Sequence, residues 1–541
     1  MLARLRDEEF DLVVIGGGIT GCGVALDAAA RGLRTALVER HDLAAGTSSK
    51  SSKLVHGGLR YLQQGDVRLV YEALRERQRV FRNAPHLVTV LPFMIPVLTK
   101  DGLLSRKIAR AFGSALWMYD FTGGIRIGRV HRRVRAKKAL EYMPTMPDDR
   151  LAAAYLYYDA QADDARLCLE LARTAAERGA TVATRCSSSG LVRRDDGAIE
   201  GLRVTTSEGE TFTVRCRAVV AATGVWADAV DIRPAKGVHV TVPWDKVRNR
   251  IAVVIPVPKD RRSLFVVPWG PRPDGTFTHT YVGTTDTDFR GSLDDPQCTS
   301  DDIEYVLRAL RANVTTGIGR DDITGVWAGL RPLVQTADTS KSGARTADLS
   351  RRHLVHQSPE GIVTVTGGKL TTYREMAEDA VDEVMNRLGR SARCRTKRLR
   401  LSGAGRRPGD ADPHLWSRHG TRHTMIDDLV RRDPSLGQPL VDGLPYLRAE
   451  AVHAVTQEMA LDLEDVLSRR TRALLFDRAG ARRAARSVAE LIAPHLGWDS
   501  ARVDAEVAAF HEICDHEEAA ALVTEAELHP TPASRTTEAD A

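Results

Sequence analysis

The sequence predicts an α/β chain made of a discontinuous Rossmann-like nucleotide-binding domain, a strand-rich α+β cap and a C-terminal all-α domain. Three observations point there. An apolar run, Leu12 to Ile15, breaks into glycines, continues through helix formers and reaches a second apolar run, Thr35 to Val38, which reads as strand, turn, helix, strand. Strand-to-helix turns recur in "AVVAATGVWAD", 218 to 228, and in "GIVTVTGGKLTTYREMAEDAVDEVM", 361 to 385. From 445 to 520 the chain is rich in Ala, Leu, Arg and Glu at helical spacing.

Length and composition set the frame. A chain of 541 residues predicts two or three domains, and 43% hydrophobic with 27% charged residues predicts a soluble globular protein. The formal charge of +6 is too mild for a nucleic-acid binder, so no such partner is expected. Seven scattered cysteines without a Cys-x-x-Cys pair argue against a disulfide framework or a zinc site, and no metal is expected. The N-terminus runs from mixed charges straight into a strand, which predicts a cytoplasmic protein. No stretch offers the roughly 20 apolar residues of a membrane span.

The first turn carries the cofactor signal. Gly16, Gly18 and Gly21 fit G-x-G-x-x-G between a strand and a helix that opens with Ile19 and Thr20. Glycines there allow a tight turn, close approach to a pyrophosphate and packing of helix on sheet, with the positive end of the helix facing the phosphates. Glu39, at the end of the second strand and followed by Arg40, is placed to accept from a ribose, which favours FAD or NAD over NADP. Thr223 and Gly224, then Gly368, Lys369, Leu370 and Thr371, mark the two later turns; three such junctions predict one extended cofactor.

The motifs GGGITG (16 to 21), SSKSSKLVHGGLRYL (48 to 62), AATGVW (221 to 226), GTTDTD (283 to 288), GLRPL (329 to 333) and GGKLTTYR (367 to 374) stand in a telling order. In these, the sequence resembles the FAD-dependent glycerol-3-phosphate dehydrogenases, and the likeness extends past residue 400 through "AVHAVTQEMALDLEDVLSRRTRALLFD". The resemblance implies FAD as cofactor and oxidation of sn-glycerol 3-phosphate to dihydroxyacetone phosphate by hydride transfer from C2, with reoxidation by a membrane quinone.

A three-carbon substrate with a charged phosphate offers little apolar area, so cations must supply its binding and place C2. The resemblance assigns Arg60 and Tyr61 to substrate, with Thr284, Thr285, Arg331 and Lys369. It places Thr47, Ser48, Ser49, Ser51, Ser52, Lys53, Leu54, His56, Gly57 and Gly58 along the flavin. Histidine is the natural base for the C2 hydroxyl, and His56 and His239 both qualify, while Arg331 or Lys369 would stabilise alkoxide character. The alternatives are an oxidase passing electrons to oxygen, more remotely an amine or amino-acid oxidase of the same flavoprotein class, and a flavin-binding module without turnover.

Domain limits follow from the motifs: 8–80, 150–235 and 325–395 for the FAD-binding domain, 81–149 and 236–324 for the cap, 396–415 as linker, 416–524 as the helical domain and 525–541 as a disordered tail. The helical domain is expected to pack, scaffold or support a homodimer, with Asp462, Glu464 and Asp465 paired to Arg469, Arg470 and Arg472 along helix faces. Between 103 and 138, apolar and aromatic residues alternate with arginines and lysines, which suits peripheral attachment to an anionic lipid surface.

Overall fold

The computed structural model describes residues 1–58, 66–99, 113, 116–121, 128–260, 262–335 and 353–529. Two sheets organise it. The first runs, in spatial order, His353–Gln357, Val363–Gly367, Thr211–Ala221, Glu9–Ile15, Thr35–Val38 and Thr181–Ala183. Four of the five pairings along this order are parallel, Val13 facing both Val219 and Ala36. Parallel strands need helical crossovers that cover the sheet, and continuous apolar runs such as Leu12–Ile15 are the consequence. The helix Ile19–Ala30 packs between the helices Asp164–Glu177 and Tyr373–Arg387, burying Val24, Ala25 and Ala28 against Leu171, Ala377 and Val381. Gly23 lets the Tyr373 ring approach: a Cβ there would stand 3.0 Å from it.

The second sheet is larger and mostly antiparallel, centred on Ile232–Pro243, Ser263–Pro271 and Phe277–Gly283. Alternation assigns its two faces. Val253, Val266 and Val282 pack under the helix Ser300–Asn313, while Val254, Val267 and Tyr281 face the C-terminal helices through Leu474 and Phe476. Both faces are therefore covered by helices.

Pairing moves several limits read from the sequence. Leu151–Ala162, placed by sequence in the first domain, pairs along Val88–Leu98 in the second sheet. Gly325–Val334 pairs with Ile232–Pro243 from Val326 opposite Val240 to Val334 opposite Ile232, so the 325–395 segment also starts in the second sheet. The 396–415 stretch is not a free linker: Leu399 and Leu401 are buried in the first core, and the Thr396 hydroxyl donates to Asp27. Nor is the tail wholly unstructured, because Glu525–Leu528 forms a short helix whose Glu525 pairs with buried Lys236. The C-terminal helices end on local signals, with Asp412 accepting from Leu415 N beside Pro413, and Gly497 in left-handed conformation closing Arg478–Leu496. Among the described residues, no helix is long and apolar enough to cross a membrane.

Candidate active site

A cavity of about 1020 Å³ opens at the C-terminal edge of the parallel sheet. Gly16, Gly18, Ile19, Thr20, Glu39, Arg40, Thr47, Ser48, Ser49, Thr223, Gly224, Gly368, Lys369 and Leu370 all line it, uniting the three turns read from the sequence. The fingerprint glycines are required by space. A Cβ on Gly16, which has φ +107°, would stand 2.6 Å from the Ala222 carbonyl oxygen, and one on Gly21 would fall on the Gly16 carbonyl. The Ser48 hydroxyl accepts from Ile19 N at 2.8 Å at the head of the helix, and Glu39 accepts from Gly17 N at 2.6 Å and His41 N at 2.8 Å. Arg40 lies over the Trp226 ring. A glycine turn at a helix start, an acid at the strand end and a long cavity fit the phosphates, ribose and ring system of FAD.

The SSKSSKLVHGG segment then leaves this cavity for the second sheet. Ser51 O accepts from Trp327 Nε1 at 3.2 Å, Ser52 O accepts from the Tyr281 hydroxyl at 2.9 Å, and Leu54 and Val55 pair with Gln161 and Ala160. One segment thus joins the fingerprint turn to the strands that carry His239 and Arg331. Lys53 departs from expectation: fully buried, its ammonium donates to Asp164 Oδ1 and Ser49 O, both at 3.1 Å, and lies 4.8 Å from the Trp327 ring centre. Burial pushes its pKa down to about 8, with Asp164 opposing and Arg472 adding to the fall.

His239 and His56 differ in surroundings. His239 is 2% exposed, stacks on Trp327 and has Nε2 2.9 Å from the Ser52 hydroxyl. Burial, then Lys53 and Arg331, hold its pKa well below the usual value, so the ring is neutral. His56 is half-buried with Phe265 edge-on, and its peptide is gripped from both ends by Thr371: the amide donates to Thr371 Oγ1 at 3.0 Å and the carbonyl accepts from it at 3.2 Å. The next amide, Gly57 N, donates to Tyr119 Oη at 3.2 Å, and Tyr119 donates to Asp159 at 2.8 Å, a carboxylate also paired with buried Arg77. Gly58 continues the turn with φ +76°.

Arg331 stands on the same strand face as Trp327, four residues along the alternation. Its Nη2 donates to Thr284 Oγ1 at 2.9 Å and to Thr285 O at 3.2 Å, and Nη1 pairs with Asp286 at 3.2 Å. The Thr285 hydroxyl is taken by backbone, accepting from Val238 N at 2.9 Å, and so faces its own sheet instead of a ligand. Arg60 and Tyr61 lie outside the described residues. Sequence reading missed Trp327, Tyr119, Asp159, Asp164 and Arg472; for Trp327 the signal was present in V-W-A-G-L-R-P-L, where Trp, Gly and Arg share one face. His419, His453 and Glu458 also come together, but Arg166 donates to His419 Nδ1 at 3.1 Å and Glu458 Oε2 at 2.6 Å, making this a buried ion network.

Comparison with known proteins agrees with this geometry. Residues 11–374 match the FAD dependent oxidoreductase family and residues 394–503 match the C-terminal domain of alpha-glycerophosphate oxidase. The chain is 41% identical over 540 residues to glycerol-3-phosphate dehydrogenase 2 of Mycobacterium tuberculosis, covering 93% of this chain and 88% of the relative. It is 34% identical to a mitochondrial glycerol-3-phosphate dehydrogenase of Arabidopsis thaliana, covering 94% and 86%. The crystal structure of glycerol-3-phosphate dehydrogenase from Bacillus halodurans complexed with FAD superposes with a TM-score of 0.75 at 27% identity, covering 96% of both chains. With the fingerprint turn, the long cavity and the helical C-terminal domain all accounted for, the chain belongs to the FAD-dependent glycerol-3-phosphate dehydrogenase family and takes FAD as its cofactor.

Proposed function

We propose that this protein oxidises sn-glycerol 3-phosphate to dihydroxyacetone phosphate, with a membrane quinone as final acceptor. FAD, when bound, supplies the two-electron acceptor for the C2 hydride. The observation that carries the reading is the SSKSSKLVHGG segment, whose Ser48 meets the fingerprint helix while Ser52 meets His239, so cofactor and substrate elements share one backbone. His56 takes the C2 hydroxyl proton: it is the less enclosed of the two histidines, and its peptide is held by Thr371. Arg331, oriented by Thr284 and Asp286, and Lys369, on the cavity wall, offset negative charge on O2 as that proton leaves. Arg60 and Tyr61 receive the phosphate. Trp327 and the buried rings behind it exclude water from this side of the site.

Anaerobic addition of sn-glycerol 3-phosphate to the flavin-loaded protein should bleach the flavin, and glycerol should not. A flavin left oxidised by the ester would remove the substrate assignment. Reoxidation by a soluble quinone with little peroxide from oxygen supports the dehydrogenase reading over the oxidase. Attachment to a membrane surface is supported by Trp117 and Phe121, exposed at 51% and 69%, near the exposed strand Arg132–Arg135.

A further inference from the structure

Three arginines of the C-terminal domain are spent on the loops that shape the cofactor cavity. They stand in one run, Ser468-Arg469-Arg470-Thr471-Arg472, at the end of the π-helical segment Asp465–Arg470, and all three are buried. Arg470 grips Asp42 with both prongs, Nη1 to Oδ2 at 2.7 Å and Nη2 to Oδ1 at 2.8 Å, and Arg469 Nε adds a third bond at 2.6 Å. Asp42 belongs to the loop after Thr35–Val38, whose Ala44 N donates to Gly17 O at 3.0 Å in the fingerprint turn. Arg472 reaches the other side of the cavity. It donates to Asp163 Oδ1 at 2.7 and 3.0 Å, to Asp164, and to Ser49 O at 3.3 Å. Asp164 in turn accepts from the Ser51 amide at 3.0 Å and hydroxyl at 2.7 Å.

Burying charges costs desolvation that only close, multiply bonded partners offset, so a connection needed merely to join two domains is more cheaply made from apolar side chains. Outside the C-terminal domain itself, the acceptors Asp42, Asp164 and Ser49 O lie in, or directly hold, segments lining the cavity, and Ser468 and Arg469 line it themselves.

We propose that residues 468–472 form an intramolecular clamp that holds the loop around Asp42 and the Ser49–Lys53 turn in their FAD-binding arrangement, making the C-terminal domain a positioning element for cofactor retention. It rests on FAD occupying this cavity and is independent of which substrate is oxidised.

The test uses full-length apoprotein stripped of FAD and titrated with FAD by flavin fluorescence. Asp42→Asn and Arg470→Met should each weaken FAD binding about tenfold or more, and the double variant should be little worse than the weaker single, because the two share one interaction. Arg486→Gln, in the same domain but exposed and paired with Asp504, should leave FAD affinity unchanged. Coupling is reciprocal, so FAD added to wild-type apoprotein should slow amide hydrogen exchange across 465–472. Single variants that bind FAD like wild type while melting earlier would overturn the clamp. So would wild-type exchange in which Ile19–Ala30 responds to FAD and 465–472 does not, a comparison that decides even if the variants fail to fold.

Discussion

His239 and Trp327 stack with ring centres 4.8 Å apart and planes 11° from parallel, on neighbouring antiparallel strands that place them directly opposite. A ring held this way, neutral and with Nε2 on Ser52, shapes the wall of the site. On the proposed reading His56, in the same turn as Gly57, is the base. His56→Ala should slow anaerobic flavin reduction by about 10²- to 10⁴-fold, the usual worth of a general base, whereas His239→Ala should slow it by less than about tenfold. Stopped-flow bleaching separates them, and a larger loss in His239→Ala would transfer the role.

Gly237 lies between His239 and Ala235 on one strand, with the Arg331 guanidinium across it. A Cβ at 237 would stand 2.5 Å from Arg331 Nη2 and 2.7 Å from Thr284 Oγ1. Gly237→Ala should therefore push Arg331 out of its bonds to Thr284 and Asp286 while leaving the fingerprint turn intact. The expected result is full FAD content with kcat/KM for sn-glycerol 3-phosphate down by about tenfold or more, the loss of a charge-assisted contact. Unchanged kinetics would remove Arg331 from the substrate site.

Behind Gly57 lies a buried ion pair, Arg77 with Asp159, bridged to the backbone by Tyr119. Burial and the Asp159 charge raise the Tyr119 pKa well above its usual value, so the phenol keeps its proton and donates to the carboxylate. Tyr119→Phe leaves the Gly57 amide poorly satisfied and should cost about 1–3 kcal/mol, whereas Asp159→Asn takes the carboxylate charge away from buried Arg77 and should cost about 3–5 kcal/mol. Denaturant melts of the two variants give the order directly.

The cofactor half of the site was legible because its requirements are local. Gly16, Gly18 and Gly21 answer to backbone clearance, and strand, turn and helix follow in sequence around them. Contacts made across the fold were not: Trp327 meets His239 only once their distant strands pair, and Lys53 only when its turn folds over that sheet, while Asp163 and Asp164 look like an ordinary helix start until Arg472 folds onto them. Of the pairs expected along helix faces, those at Arg469 form, with Glu464 and Asp465, and the others fail for the same reason. Asp465 does hold Arg469 within its own segment, but Asp462 joins Arg185, and Arg470 and Arg472 turn outward to Asp42, Asp163 and Asp164. The limits near 150 and 325 went wrong because strand partners, not composition, decide sheet membership.

The exposed cluster around Trp117, Met118 and Phe121 sits close to His131, which pairs with Asp120, and so to the strand Arg132–Arg135. Apolar rings flanked by arginines suit an anionic headgroup layer, and each cation near such a surface is worth about 1 kcal/mol. Reversing Arg132, Arg133 and Arg135 to Glu should abolish co-sedimentation with phosphatidylserine vesicles and leave flavin reduction in solution unchanged. Equal sedimentation of wild type and variant would exclude this patch.

Lys53 gives the stability a pH signature. Its pKa is about 8 in the folded chain against 10.5 for the ordinary side chain, because burial outweighs the attraction of Asp164 and Asp163 while Arg472 repels it. Below about pH 8 the ammonium is charged in both states, and the folded state bears the whole cost of burying it. Between about 8 and 10.5 the folded protein has released a proton that the unfolded chain still holds. Stability from this group therefore rises with pH across that window and levels off above it. Lys53→Met removes the group while keeping most of its length, so wild type minus Lys53→Met in unfolding free energy should climb in favour of wild type from pH 8 to 10.5. Chemical denaturation at half-unit pH steps measures the difference. A flat difference would mean that Lys53 keeps an ordinary pKa, and the Asp164 pair would then be strong enough to cancel its burial.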